Sequence, residues 1–345
     1  MFRMLSDDYF KVRLSLVLAL WSFFTFLCSA QEPLNVSIYE KDTLFMGSAF
    51  VFKAVSENKE HAGVVIEKAM AEVNRIEKLI SSWDENSQTY AINDNAGIRP
   101  VKVDYELFNL IRRSIKVSTL TNGYFDISFA SIDKVWDFKK SYDQPPSGAA
   151  IAASVRKVNY QNIVLNSKDT SVYLKEKGMK IGFGAIGKGY AANRAKMVME
   201  EQGVLAGVVN AGGDLLSWGS KPDGSPWSVG VVNPLEKNEV LLWLNSTNMA
   251  VVTSGDYERF VMINGVRYGH IINPKTGWPT KGLTSVTVIC PDAELADALA
   301  TSVFVMGRER GLELINLLEG IEAVIVDDQG NLFLSENVAA NYVLK

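Results

Sequence analysis

The final third of the chain alternates β-type apolar runs at 229–232, 241–244, 249–252, 260–263, 285–290 and 323–327 with helix-type runs at 293–306 and 309–318. Together with long helices near the N-terminus, strand runs of this kind argue for an α+β fold with antiparallel pairing over a doubly wound parallel sheet. Residues 61–80 carry Val64, Val65, Ala69, Val73, Ile76, Leu79 and Ile80 at helical spacing, and a second helical run, 104–121, stops at Asn122-Gly123. A β-type run covers 44–55, with Gly47 marking a bulge or a close backbone approach. Pro145, Pro146 and Gly148 make 141–151 a loop excursion, 191–202 reads as helix and 204–209 as strand. No internal repeat or low-complexity tract interrupts this order.

The N-terminus differs in kind. Lys11 and Arg13 precede the apolar stretch 14–30, which ends in small residues before Gln31-Glu32-Pro33. This is the layout of a secretory signal peptide cleaved after Ala30. An uncleaved anchor is the second reading, because the run is just short of the ~20 residues a bilayer span needs. A lipidated Cys28 is a third, disfavoured by the bulky Phe26 and Leu27 before it. The expected organisation is 1–30 as signal peptide or membrane anchor and 31–345 as the functional domain. Export implies a periplasmic protein, free or held at the periplasmic face of the inner membrane. If Cys28 is removed, Cys290 is alone, no internal disulfide can form, and the fold must rest on its core. A net charge of −4 with no basic block argues against nucleic acid as a partner.

Several segments could carry chemistry. Asp297 and Thr301 stand four residues apart in an apolar helical run, so both oxygens face one side. They read either as ligands of a hard cation or as a satisfied buried pair. Gly182, Gly184, Gly187 and Gly189 with Lys188, placed between a strand and a helix, make either a pyrophosphate cradle or a tight structural turn. The spacing is neither a Walker loop nor a dinucleotide fingerprint. Asn210-Ala211-Gly212-Gly213-Asp214 reads as a β-turn beside a carboxylate. Ser254, Tyr257, Glu258 and Arg259 crowd hydroxyls and charges after a strand, and Arg259 suits a phosphate or a surface network. His270, one of two histidines, is followed at once by a Pro and Gly turn and is a candidate general base or a hydrogen-bonded structural residue. His61 reads as a surface or capping group. There is no His/Cys cluster for zinc, so any cation should be oxygen-bound.

Taken in order, these segments resemble one family, the FAD:protein FMN transferases (ApbE-like). The resemblance is carried by Met46-Gly47-Ser48, the Ser82-Trp83-Asp84 to Asn93 segment, Gly123-Tyr124-Phe125-Asp126-Ile127, Gly184 to Tyr190, Asn210 to Asp214, Thr253 to Arg259, His270 to Gly277 and Asp297 to Thr301. It implies an ApbE-like, T-fold-like α+β architecture of mixed sheets with packed helices in two intimately associated lobes. It also implies transfer of the FMN half of FAD to a Ser or Thr hydroxyl through a phosphoester bond, with release of AMP and with Mg2+ on the pyrophosphate. On the same basis Asp297, Thr301 and the Ala185 carbonyl hold the metal, and His270 takes the hydroxyl proton. Met46, Trp83 and Tyr90 pack on the flavin or adenine rings, Lys188, Ser254 and Arg259 meet phosphates, and Asp126, Asp214 and Glu258 bind polar edges of the cofactor. The implied acceptors are flavoprotein subunits of membrane redox complexes outside the cytoplasm. An FAD pyrophosphatase and a non-catalytic flavin-binding protein are the alternatives. The family commonly has Asp where this chain has Gly182, Asn193 and Asn273, which lowers the charge around the site.

Overall fold

A computed structural model describes residues 36–341 apart from 133, 237–238 and 258, so the 1–30 segment and Glu258 lie outside the described residues. The described residues from Ser37 onward belong to one compact unit. In chain order its first half contains β1 (Ser37–Phe45), β2 (Ser48–Ser56), α1 (Lys59–Ile80), α2 (Gln88–Asp94), β3 (Val101–Lys102), α3 (Tyr105–Leu120), α4 (Gly148–Ser154), β4 (Ile163–Asn166) and β5 (Ser171–Leu174). The second half begins with α5 (Gly187–Glu201), β6 (Gly207–Ala211), β7 (Asp214–Trp218), β8 (Ser228–Val232), β9 (Val240–Asn245) and β10 (Ala250–Gly255). It continues through β11 (Phe260–Ile263), β12 (Val266–Gly269), β13 (Leu283–Cys290), α6 (Ala293–Met306), α7 (Arg308–Asn316), β14 (Glu322–Asp327), β15 (Leu332–Leu334) and α8 (Glu336–Asn341).

Eight strands form one sheet in the order β1-β2-β6-β7-β10-β13-β14-β15, and every neighbouring pair is antiparallel. Successive side chains of a strand point to opposite faces, and this sheet uses both. Val252, Val286, Val288 and Ile325 enter the main core with Val65, Ile76, Ala195, Leu299 and Val303 of the helices. Their neighbours Val251, Ile289 and Val324 join Val231, Leu242 and Leu244 of the β8–β9 hairpin in a second core on the other face. That explains why all eight residues of β13 are buried. Cys290 ends that strand as a buried free thiol, and burial pushes its pKa up to about 12, as expected of an inert thiol.

The sequence expectations need four corrections. The 44–55 run is not one strand: Met46 and Gly47, with φ of 51° and 70°, form a two-residue turn between β1 and β2. A Cβ on Gly47 would meet nothing within 4 Å, so the turn conformation, not a close approach, is what favours glycine. The Gly-rich segment does not follow a strand directly, since β5 ends at Leu174 and irregular backbone leads to Gly182. The loop excursion contains the short helix α4, started by the Ser147 cap. Helix α5 begins at Gly187, earlier than its apolar spacing suggested, because its first turn is built from glycines. Among the described residues no helix is long and apolar enough to cross a membrane.

Candidate functional site

Helix α6 is apolar nearly throughout and starts at Asp292, whose side chain accepts the Leu295 N–H at 3.0 Å. Within it Asp297 is only 4% exposed. Its carboxylate accepts the Gly189 N–H at 3.1 Å, from the first turn of α5. The two helices approach closely there: a Cβ on Gly189 would lie 2.0 Å from the Ala293 carbonyl oxygen and 2.9 Å from the Asp297 Cβ. Glycine at 189 is therefore a packing requirement. Burial pushes the Asp297 carboxyl above the usual carboxylate range, while the Lys188 charge and the amides of Gly189 and Lys188 act the other way.

One turn further, the Thr301 hydroxyl lies 3.1 Å from the Ser254 hydroxyl at the end of β10. Thr253, its neighbour, meets Thr287 of β13 at 2.8 Å across the ladder. Lys188 reaches Asp214, its Nζ 2.8 Å from a carboxylate that is 1% exposed. Asp214 is placed by the β6–β7 hairpin, whose Gly212-Gly213 turn has φ of 65° and 104° and is closed by the Gly213 N–H donating to the Asn210 side chain at 2.8 Å. The β-turn reading of this segment was correct, and its carboxylate also anchors the lysine of the Gly-rich turn. Ala185 lies in that turn, at 184–186, just ahead of α5.

His270 follows β12 directly. Its backbone N–H donates to the Arg259 carbonyl at 2.9 Å and its Nδ1 lies 3.2 Å from the same oxygen. A carbonyl can only accept, so Nδ1 carries the hydrogen in the neutral ring and Nε2 is the acceptor nitrogen. The Arg259 side chain is exposed.

Four other expected residues stand apart from these contacts. Met46 is half-buried in the β1–β2 turn, with its N–H donating to Glu77 at 2.9 Å. Trp83 is 80% exposed and Tyr90 half-buried on α2. Asp126 caps the turn at 127–131: one oxygen accepts the Ser128 N–H and hydroxyl at 2.8 and 2.6 Å, the other the Tyr160 N–H at 2.8 Å. Burial raises its carboxyl. The hydrogen bonds of Met46, Trp83, Tyr90 and Asp126 run to Glu77, Ser81, Ser87, Ser128 and Tyr160.

Asn193 gains a structural reason. It donates to Asp292 at 3.0 Å and accepts the Ala293 N–H at 3.1 Å, tying α5 to the start of α6. An ionised Asp there would only accept, and would face the Asp292 carboxylate. Nothing in the sequence marks a partner 99 residues away.

The oxygen donors of Asp297, Thr301 and Ser254 suit a hard cation, and no group of three or more His, Cys, Asp or Glu gathers among the described residues. An added positive charge would offset the burial cost of the Asp297 carboxylate, so the residues fit such an ion.

Residues 46–325 match the ApbE family model. The chain belongs to the ApbE family. A relative from Klebsiella pneumoniae, named FAD:protein FMN transferase, is 30% identical over 300 residues, covering 86% of this chain and 92% of its own length. One of the same name from Escherichia coli K12 is 29% identical over 273 residues, covering 77% and 78%. The ApbE protein of Thermotoga maritima superposes with a TM-score of 0.79 at 33% identity, over 88% of this chain and 99% of that one. The apo form of the Pseudomonas stutzeri flavinyl transferase ApbE gives 0.78 at 25% identity, over 88% and 96%. As an ApbE family member the chain has the mixed α/β architecture of these structures, which accounts for the antiparallel sheet and its packed helices.

Proposed function

We propose that the protein transfers the FMN half of FAD to a Ser or Thr hydroxyl of an acceptor protein and releases AMP. The observation that carries this is the seating of Asp297 against the first turn of α5, beside the Thr301–Ser254 hydroxyl pair. It supports a site for a cation and a pyrophosphate together, in a chain whose relatives are named FAD:protein FMN transferases.

The positive end of α5 favours an anion, with the Ile186 and Gly187 amides already donating to Phe183 and the Gly189 amide to Asp297. Lys188, held by Asp214, adds a fixed cation at that end, and the exposed Arg259 adds a second for a phosphate. The acceptor oxygen attacks the FMN phosphorus, the bond to the bridging oxygen breaks, and that oxygen leaves with AMP. Nε2 of His270, the acceptor nitrogen of its ring, takes the hydroxyl proton. Asp297, Thr301 and the Ala185 carbonyl would hold Mg2+, which would neutralise charge on the pyrophosphate. Trp83, which is largely exposed, offers a face for a ring system, with Met46 and Tyr90 as further packing groups. Asp126 has one oxygen engaged by its own turn and the other by the Tyr160 N–H, so its part is to hold that turn against the segment at Tyr160. Asp214 and Glu258 are the acidic groups proposed for polar edges of the cofactor. Acceptors of this reaction are flavoprotein subunits of membrane redox complexes, and segment 1–30 directs the enzyme to the periplasm or tethers it beside them.

Incubation of the protein with FAD, magnesium and an acceptor domain tests the reading. A mass gain of one FMN on the acceptor, lost with His270→Ala while FAD still binds, is the expected result. Free FMN with unmodified acceptor identifies a pyrophosphatase instead, and bound but unconverted FAD a storage protein.

A further inference from the structure

His270 is carried by the β11–β12 hairpin, a two-stranded sheet separate from the eight-stranded one. Two strands alone hold their place only marginally, so something else must fix this hairpin. Trp136, Ile151, Val261, Ile263 and Tyr268 form a small core of their own, made by the excursion after residue 134 and this hairpin. Trp136 is 7% exposed and stacks on Tyr268 with centroids 5.3 Å apart and planes at 24°. It meets Trp278 at 5.9 Å, and its indole N–H donates to the Gly277 carbonyl at 3.1 Å. One side chain therefore touches the chain two residues before His270 and again seven and eight residues after it.

The loop between those contacts is closed on itself. Ile272 pairs with Pro279, the Gly277 N–H donates to the Asn273 carbonyl at 2.8 Å, and the Thr280 N–H donates to the Ile271 carbonyl at 2.9 Å. Gly277 has φ 75°, and a Cβ there would lie 2.8 Å from the Ile151 carbonyl oxygen of α4. The excursion thus presses on the far end of the loop while the Arg259 carbonyl holds His270 at the near end.

We propose that Trp136 is a positioning residue for His270: the excursion is a buttress that sets where the imidazole stands relative to the incoming hydroxyl. This rests on the reading of His270 as the base. Misplacing a reacting group by about 1 Å can cost about a hundredfold in rate, so loss of the buttress should be read in turnover rather than in FAD affinity.

The test compares Trp136→Phe, Trp136→Ala and His270→Ala in full-length protein with FAD, magnesium and the acceptor domain, following kcat, the Kd for FAD and the imidazole resonances. The chain has only two histidines, so a His61→Gln variant assigns the spectrum. Trp136→Phe keeps a ring for the stack and loses the hydrogen bond, and should lower kcat about tenfold. Trp136→Ala should lower it about a hundredfold. Both should leave the FAD Kd within about twofold and move the His270 resonances but not those of His61. If Trp136→Ala fails to fold, Trp136→Phe carries the test. Wild-type kcat and unmoved resonances in Trp136→Phe, with His270→Ala slow, overturn the positioning role and leave the base standing. Wild-type kcat in His270→Ala overturns the base itself, and the proposal with it. A loss in FAD affinity as large as the loss in kcat would assign the excursion to binding and also overturn the proposal.

Discussion

Burial disfavours the ionised form of Asp297, and the Gly189 amide with the Lys188 charge offsets only part of that cost. On the proposed assignment a bound cation would supply the rest. Asp297→Ala should therefore abolish magnesium-dependent FAD turnover while the far-UV spectrum stays native. Magnesium should raise the Tm of the wild type and leave that of the variant unmoved, since an ion that binds only the folded state stabilises it. Unchanged turnover would refute the assignment. Cys290 makes a second residue-scale case. Burial holds its thiol pKa near 12, so alkylating reagents at pH 8 should label Cys290 only after denaturant is added. Rapid labelling of Cys290 in the native chain would contradict that.

Between elements, the contact of α5 with α6 sets the site. Gly189→Ala would place a methyl group against the Ala293 carbonyl, a backbone atom that cannot swing aside. The variant should lose roughly 3 kcal/mol of stability and its magnesium-induced rise in Tm, both measured by thermal melts with and without the ion. Behind α5 lies an ion network: Arg75 of α1 bonds Glu72 and Glu106 of α3, and Arg194 of α5 bonds Glu72 at 2.9 Å. Tyr190 of α5 also donates to Glu106. Hydrogen bonds from Arg75 hold Glu72 below its ordinary 4.5; for Glu106 burial opposes, but Arg75 and Tyr190 prevail and its carboxyl is also held down. A depressed folded value means stability that is present above about pH 4.5 and lost as pH falls through the folded pKa. Glu106→Gln should flatten the fall of Tm below pH 4.5, and an unaltered acid limb would show the network to be inert.

For the molecule as a whole, the reading of 1–30 as an export signal is checked by intact mass. Protein recovered from the periplasm should begin at Gln31, whereas a chain retaining its N-terminus would establish the anchor. Much of the fold is legible in the sequence where periodicity is strong. Helix α6 matches its expected span, α1 and α3 fall within two residues of theirs, and the runs at 260–263 and 323–327 are strands. Periodicity fails where glycine carries the structure, as at the start of α5 and in the Met46-Gly47 turn, because glycine adds no apolar signal. It fails again at α4 and β3, elements too short to display a period. Asp297, Thr301, Ser254, Lys188 and Asp214 are named as candidates from their residue types together with the family resemblance. Their pairing is not legible. The bond from Gly189 to Asp297 spans 108 residues and the Ser254–Thr301 contact 47. Local propensity acts over a turn or two, so the sequence by itself determined which residues can bind, turn or enter the core. Only the packing of α5 on α6, of α6 on β10, and of the excursion against the His270 loop decided which of those residues meet.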